Sequence, residues 1–134
     1  MHTREKNLPV SVLGLGTDII RVARIAELVA RYEGRFLDRV FRPQEQRVLE
    51  RTGQAAAAAL AARWAAKEAF VKALGSRASG VPYRDVEVVR GAAGEPSLRL
   101  HGAAREAMHD LGARTALVSL SHERDHATAT VILI

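Results

Sequence analysis

Three charged residues, Lys67, Glu68 and Lys72, lie within a stretch that otherwise predicts a packed helix, RWAAKEAFVKALG. At 100° per residue, Lys67 falls inside the apolar arc of that helix, and Glu68 and Lys72 lie one turn apart along its edge. One interpretation is an exposed Glu–Lys pair at i,i+4, which contributes little to stability. The other is a charged cleft, because a charge inside an apolar arc must reach water, find a partner or face a ligand. The arc consists of Leu60, Trp64, Val71 and Leu74.

A further carboxylate, Asp18, follows VSVLGLGT, which predicts a buried strand ending near Gly16. An aspartate at a strand-to-helix junction commonly caps the helix. A carboxylate beside glycines also suits a hard cation, and Mg²⁺ takes one or two protein carboxylates and completes its octahedron with phosphate oxygens and water. Asp18 and Glu68 together provide that number, and the sequence leaves open whether the fold brings them together.

The elements that must position these residues alternate along the chain. Helices are expected over residues 21–32, 36–40, 43–49, 54–74 and 102–112, with Gly75 placed to end the longest. Strands are expected in YRDVEVV and SLRL, joined by the turn GAAGEP, and in TALVSL and ATATVILI around SHERDH. We therefore predict an α+β fold in which an antiparallel sheet and shorter helices pack on one long central helix. Residues 1–9 are interpreted as a polar leader and residues 10–134 as a single domain.

The composition limits the chemistry. The 134 residues carry a formal net charge of +5 and include no cysteine, so a metal must be held by carboxylates or histidines. The positive charge favours an acidic partner, which means nucleic acid, an acidic protein or a phosphorylated small molecule. No apolar run reaches the roughly 20 residues of a membrane span, and a cytoplasmic protein is expected. A basic module that binds nucleic acid is the alternative to an enzyme, although no zinc-finger or RNA-recognition motif supports it.

Three blocks of sequence, GLGTDIIRVARI, RWAAKEAFVKALG and VSLSHERDHATATVIL, resemble holo-acyl-carrier-protein synthase, the small trimeric type of 4′-phosphopantetheinyl transferase. The resemblance runs from about residue 10 to the C-terminus. It implies Mg²⁺-dependent transfer of phosphopantetheine from coenzyme A to a serine of apo-acyl carrier protein, in fatty acid or polyketide biosynthesis. The second product is adenosine 3′,5′-bisphosphate. A homotrimer with the cofactor cleft between subunits is also implied.

The resemblance assigns roles to individual residues. Asp18 and Glu68 match the Mg²⁺ carboxylates, and Lys72 matches the lysine beside the reacting phosphate. The serine proton is expected to leave through Glu68, with His122 as the second candidate. Four residues are expected to bind the cofactor: Arg63, Lys67, Gly75 and His122. Lys67 is included because it lies inside the apolar arc of the long helix.

Two features qualify this transfer of roles. His122 is interpreted equally well as a histidine that caps a turn, and the remaining histidines show no ligand spacing and are expected at the surface. The loop after the long helix reads GSRASG where the family usually has GTGI. Backbone contacts from Ser76 and Arg77 to the cofactor are therefore not carried over, whereas Gly75 is. The surface histidines are His2, His101, His109 and His126.

The first helix carries a basic stripe, Arg24, Leu28 and Arg31, opposite a predicted inner face of Val22, Ile25, Ala26 and Val29. Most such stripes are solvated surface. The resemblance implies instead that this helix docks the acidic helix following the carrier protein's serine. A basic stripe with an apolar centre would steer and anchor such a partner. Further contacts are expected from Arg35, Phe36 and Arg39.

Overall fold

The computed structural model describes residues 11–50 and 53–134; the predicted leader and His2 lie outside these residues. In chain order, the elements are β1 Gly14–Arg21, α1 Val22–Tyr32, α2 Gly34–Val40, a 3₁₀ helix Glu45–Glu50 and α3 Gly53–Leu74. Two short 3₁₀ helices follow, Gly75–Ala78 and Tyr83–Asp85. The remaining elements are β2 Val86–Arg90, β3 Pro96–Leu100, α4 Gly102–Leu111, β4 Ala116–His122 and β5 His126–Leu133.

The strands form two antiparallel sheets. The larger has the order β1-β5-β4, with Gly14 opposite Leu133 and Ala116 opposite that same leucine. The smaller is the β2–β3 hairpin. The predicted α+β fold with an antiparallel sheet is confirmed. The hairpin is a separate sheet, because neither of its strands is hydrogen-bonded to β1, β4 or β5.

Helix α3 is the centre of the molecule. Fourteen of its twenty-two residues are buried, and β1, β5, β4, α1 and the Glu45–Glu50 helix all pack against it. The prediction of a single apolar arc was therefore too narrow, because a helix enclosed on several sides is apolar nearly all round. Its alanine-rich composition suits this position, since small side chains let neighbouring elements approach closely.

Strand β1 lies directly against the backbone of α3. A Cβ atom added at Gly16 would come within 1.9 Å of the Ala69 carbonyl oxygen, and one at Gly14 within 2.2 Å of the Ala73 carbonyl oxygen. Residues at alternate positions of a strand share a face, so Asp18 is the next side chain on the face that meets α3. The glycines thus set how near Asp18 comes to the helix.

Three predictions about local structure need correction. Strand β1 continues through Arg21, so Asp18 lies within the strand, and the N-cap of α1 is Arg21, which makes no side-chain capping bond. The helix expected after Pro43 is a 3₁₀ helix. Ala26, expected to face inward, is exposed, whereas Val22 and Ile25 are buried as predicted. Among residues 11–50 and 53–134, no helix is long and apolar enough to cross a membrane.

Candidate active site

Asp18 and Lys72 form the first pair of the candidate site. The Lys72 ammonium donates to Asp18 Oδ1 and to the Thr17 carbonyl oxygen, both at 3.0 Å. The Asp18 side chain is only 13% exposed, whereas that of Lys72 is 53% exposed. Lys72 therefore connects α3 to β1, whereas the i,i+4 interpretation had paired it with Glu68 on the same helix. A positive charge already fits against Asp18.

Tyr83, from the short 3₁₀ helix before β2, lies in the electrostatic field of two carboxylates. Burial raises the pKa of Tyr83 above its usual value; a hydrogen bond to Glu68, the charge of Glu68 and the charge of Asp18 raise it further. One phenol thus lies in the electrostatic field of both acids. Asp18 from β1 also contacts Lys72, one helical turn after Glu68, so the two carboxylates, fifty positions apart in sequence, lie near the same edge of α3. No feature of the sequence had indicated Tyr83.

The donor set fits a divalent ion bound together with phosphate. In the described part of the chain, no group of three or more His, Cys, Asp or Glu residues is arranged to hold a metal. Mg²⁺ needs only one or two protein carboxylates when phosphate oxygens and water complete its shell. Asp18 and Glu68 match that requirement, and the ammonium at Asp18 shows that this carboxylate accepts a cation as its neighbour.

A groove between α1 and α2 brings the predicted docking residues together. Its volume is about 410 Å³. Arg24 and Arg31 are exposed on α1, and the Arg31 guanidinium lies 5.9 Å from the centre of the ring of Tyr32, which lines the groove. The apolar centre and the flanking cations that were expected are therefore both present. The lining residues are Leu28, Arg35, Phe36 and Arg39, all expected from the sequence to contact the carrier protein, together with Tyr32, which was not.

Comparison with known proteins decides the family. The family model described as the 4′-phosphopantetheinyl transferase superfamily matches residues 14–131. The chain belongs to this superfamily. The holo-[acyl-carrier-protein] synthase of Halorhodospira halophila is 49% identical over 124 residues, which cover 92% of this chain and 98% of that protein.

Solved structures of holo-[acyl-carrier-protein] synthases share the fold. That of Neisseria meningitidis matches with a TM-score of 0.79 and 29% identity, covering 92% of this chain and 99% of its own. That of Helicobacter pylori, in complex with coenzyme A, matches with a TM-score of 0.75 and 27% identity, covering 90% and 99%. The prediction of a phosphopantetheinyl transferase is confirmed, in preference to the alternative of a module that binds nucleic acid.

The expectation that Lys67 of the transferase binds the cofactor is wrong. Its side chain is completely buried, and its ammonium donates to Glu45 at 3.0 Å, to the Tyr83 carbonyl at 3.1 Å and to the Val86 carbonyl at 2.5 Å. A lysine has three donors, and all three are used. Burial lowers the pKa of Lys67, and the charge and hydrogen bond of Glu45 oppose that shift. Lys67 is therefore a buried residue of the interior, with no donor left for a ligand.

The other expected cofactor residues of the transferase, Arg63, Gly75 and His122, lie in separate parts of the fold. Arg63 is buried, donates to the Ala59 carbonyl at 3.1 Å and lines a concavity beside the Glu45–Glu50 helix. Gly75 has a φ of +61° and follows the last residue of α3, which confirms that it ends the helix. His122 is exposed at the end of β4 and lines a concavity with His126.

The remaining described histidines divide into two groups. His109 is exposed, as expected. His101 and His126 are half-buried, and both still reach the surface: the His101 side chain is 30% exposed, and His126 lines the concavity beside His122. His101 Nε2 lies 2.9 Å from Glu87 Oε1, so a buried carboxylate accounts for its position.

Proposed function

We propose that this transferase moves 4′-phosphopantetheine from coenzyme A to a serine of apo-acyl carrier protein, with Mg²⁺ held by Asp18 and Glu68. The observation that carries the proposal is the meeting of β1 and α3, which places Asp18, Glu68 and Lys72 at one edge of the helix. The names of its relatives support the acceptor, the family description supports the transferred group, and relatives solved with coenzyme A support the donor.

The reaction divides among the side chains as follows. The serine oxygen forms a bond to the phosphorus that carries pantetheine, and the bond from that phosphorus to the oxygen of the second phosphate breaks. The electron pair stays on the departing adenosine 3′,5′-bisphosphate. Mg²⁺, when bound, polarises the phosphoryl group and neutralises developing charge. Lys72, a half-exposed point charge beside Asp18, stabilises the departing oxygen, and Glu68 receives the serine proton.

The nucleotide end of coenzyme A needs cations for its 3′-phosphate. We assign Arg63, Gly75 and His122 to cofactor binding, as expected from the sequence. In support, Arg63 and Arg47 line one concavity, of about 340 Å³, and His122 and Ser121 line another, of about 300 Å³.

The acyl carrier protein docks, in this proposal, on the groove between α1 and α2. The apolar centre, Leu28 and Phe36, is flanked by arginines that suit an acidic helix. The groove also lies close to the reacting groups, because the Trp64 ring packs against Phe36 at 5.9 Å and against Tyr83 at 5.2 Å. A serine carried by the docked partner therefore has a short path to Glu68. The flanking arginines are Arg24, Arg31, Arg35 and Arg39.

We further propose the homotrimer that the family resemblance implies. The face of the three-stranded sheet that points away from α3 exposes Leu15, Ile19 and Leu117 to extents of 64%, 65% and 49%. Apolar side chains exposed together on one sheet face are typical of an interface. This face supports assembly, and the cytoplasmic location expected from the sequence stays a prediction.

The proposal is tested by mass spectrometry of an apo-acyl carrier protein after incubation with coenzyme A and Mg²⁺. We expect the wild-type enzyme to add one phosphopantetheine arm, and Asp18→Asn and Glu68→Gln to add none, because each removes one negative charge from the cation site. Glu106→Gln, an exposed neutralisation on α4, is the matched control. Transfer at the wild-type rate by both site variants would refute the assignment of the two carboxylates.

A further inference from the structure

Two histidine rings line one concavity at the turn between β4 and β5. His122 ends β4, His126 begins β5, and the concavity has a volume of about 300 Å³. Within the described part of the chain, neither ring has a hydrogen-bond or ion-pair partner. The ring of His101, which is half-buried like that of His126, does have one, because it lies 2.9 Å from a buried carboxylate. The ring nitrogens of His122 and His126 are therefore available to a ligand.

The strand register places His126 on the face of the sheet that points away from α3. The next residue, Ala127, is completely buried, so His126 and Thr128 point to the opposite, outer side. Thr128 pairs with Ser121 on β4 and with Ile19 on β1, and all three line the concavity. The imidazoles and hydroxyl groups thus border a single space on the outer surface of the sheet.

The side chains around this space suit an oxyanion. A neutral imidazole has one N–H donor and a protonated imidazole has two. The Ser121 hydroxyl is a further donor, whereas that of Thr128 donates to the Ser121 carbonyl at 3.4 Å. Glu123 also lines the concavity, and its negative charge is balanced by Arg21, which lies opposite His126 in the strand register. In the described residues, no group of three or more His, Cys, Asp or Glu is arranged to hold a metal, which favours an anion as the ligand.

The size and place of the concavity suit one phosphate group of a larger molecule. Sites that enclose whole small molecules have volumes of about 300–1,000 Å³, and this concavity lies at the lower end of that range. Coenzyme A, the proposed donor, carries a diphosphate and a 3′-phosphate. Ile19 belongs both to the concavity and to the sheet face proposed to assemble, so in a trimer the concavity borders a neighbouring subunit.

We propose that His126, together with His122, binds a phosphate group of coenzyme A. The inference rests on the proposed function, in which coenzyme A is the donor and His122 is already assigned to it. The His126 ring N–H donates to a phosphate oxygen. Hydrogen bonds to charged groups are stronger than those between neutral groups, so the loss of this donor should weaken binding by about 10-fold.

The test measures the affinities for coenzyme A and for adenosine 3′,5′-bisphosphate by isothermal titration calorimetry, at saturating Mg²⁺ and without carrier protein. His126→Phe keeps an aromatic ring, which suits a strand, and removes both ring nitrogens. His126→Gln keeps an N–H donor. His109→Phe, at an exposed histidine of α4, is the matched control, and His122→Phe tests the assignment made in the proposed function. The melting temperature of each variant is measured in parallel.

We expect His126→Phe to bind both ligands about 10-fold more weakly, His126→Gln to lose less, and His109→Phe to bind as the wild type does. Wild-type affinity in His126→Phe would overturn the inference. A loss confined to coenzyme A would also overturn it, because adenosine 3′,5′-bisphosphate has phosphates but no pantetheine arm. Equal losses in His126→Phe and His126→Gln, at lowered melting temperatures, would reduce His126 to a structural residue and have the same consequence.

Failure of the proposed function gives a different result. A wild-type enzyme that binds neither ligand would contradict coenzyme A as the donor, and wild-type affinity in His122→Phe would contradict the assignment of that histidine. Neither result depends on the comparison between His126→Phe and His126→Gln, so the two failures are distinguishable.

Discussion

Replacing Lys67 with methionine tests whether the buried network holds the molecule together. The substitution keeps an unbranched side chain out to Cε and removes the ammonium that contacts Glu45 at 2.9 Å. Glu45 is then left as a charge with 1% of its surface exposed. Its remaining donors are the backbone N–H groups of Arg42 at 2.8 Å and Val88 at 3.0 Å. The Lys67 hydrogen bonds to Tyr83 and Val86 are lost as well.

The expected cost is large relative to the stability of a domain. Removing one partner of a buried ion pair lowers the free energy of unfolding by about 3–5 kcal/mol, because it leaves an uncompensated charge. Domains of this kind are stable by only about 5–15 kcal/mol. An unfolding entropy of about 2.1 cal/mol/K per residue over 134 residues gives about 0.28 kcal/mol/K. The melting temperature of Lys67→Met should therefore fall by about 11–18 °C.

The assay is thermal unfolding followed by circular dichroism at one fixed protein concentration, since assembly makes the melting temperature depend on concentration. Lys72→Met is the matched control: its ion pair is half-exposed, and such pairs contribute at most about 1 kcal/mol. The double variant Lys67→Met with Glu45→Gln removes both charges and keeps an acceptor oxygen for one of the two backbone N–H groups, so it should recover part of the loss. The reasoning would be refuted if the free energy of unfolding of Lys67→Met were within about 1 kcal/mol of the wild-type value. It would also be refuted if the double variant were no more stable than Lys67→Met.

Two further predictions concern surfaces. Arg24→Glu should raise the Michaelis constant for the carrier protein and weaken the dependence of that constant on salt, because a steering charge is reversed. Arg105→Glu, on exposed surface of α4, is the control. Equal effects of the two substitutions would contradict docking on α1. Ile19→Asp, on the outer sheet face, should convert a trimer of 14.6 kDa chains into monomers in sedimentation equilibrium, and a wild-type enzyme that sediments as a monomer would contradict the trimer.

The order of elements was predictable from the sequence because local signals were strong. The alanine run gave the long helix, Gly75 ended it, and the turn residues between β2 and β3 marked a hairpin. The extent of β1 was not predictable, since its last residues pair with β5 from the other end of the chain, with Arg21 opposite His126. Pairing between residues so far apart in sequence outweighs a local capping preference at Asp18.

The candidate site was only partly predictable, for a related reason. A helical wheel gives the direction of Lys67, but it does not show what lies opposite, and that partner is Glu45, twenty-two residues earlier in the chain. Tyr83 comes from a short 3₁₀ helix with no periodicity of its own. Glu68 and Lys72, at the edge of the wheel, were correctly placed near a boundary between core and solvent, where a charged group can face a ligand.

The glycines of β1 explain why such short side chains meet at all. Asp18 reaches only two bonds beyond its Cβ, yet it accepts a hydrogen bond from a lysine on α3. This is geometrically feasible because Gly14 and Gly16 have no Cβ to hold the strand away from the carbonyl oxygens of Ala73 and Ala69. Any larger residue there would displace the strand outward and carry Asp18 with it. The position of the proposed cation site is thus set by contact between two backbones, which brings Asp18 to the edge of α3 that carries Glu68 and Lys72.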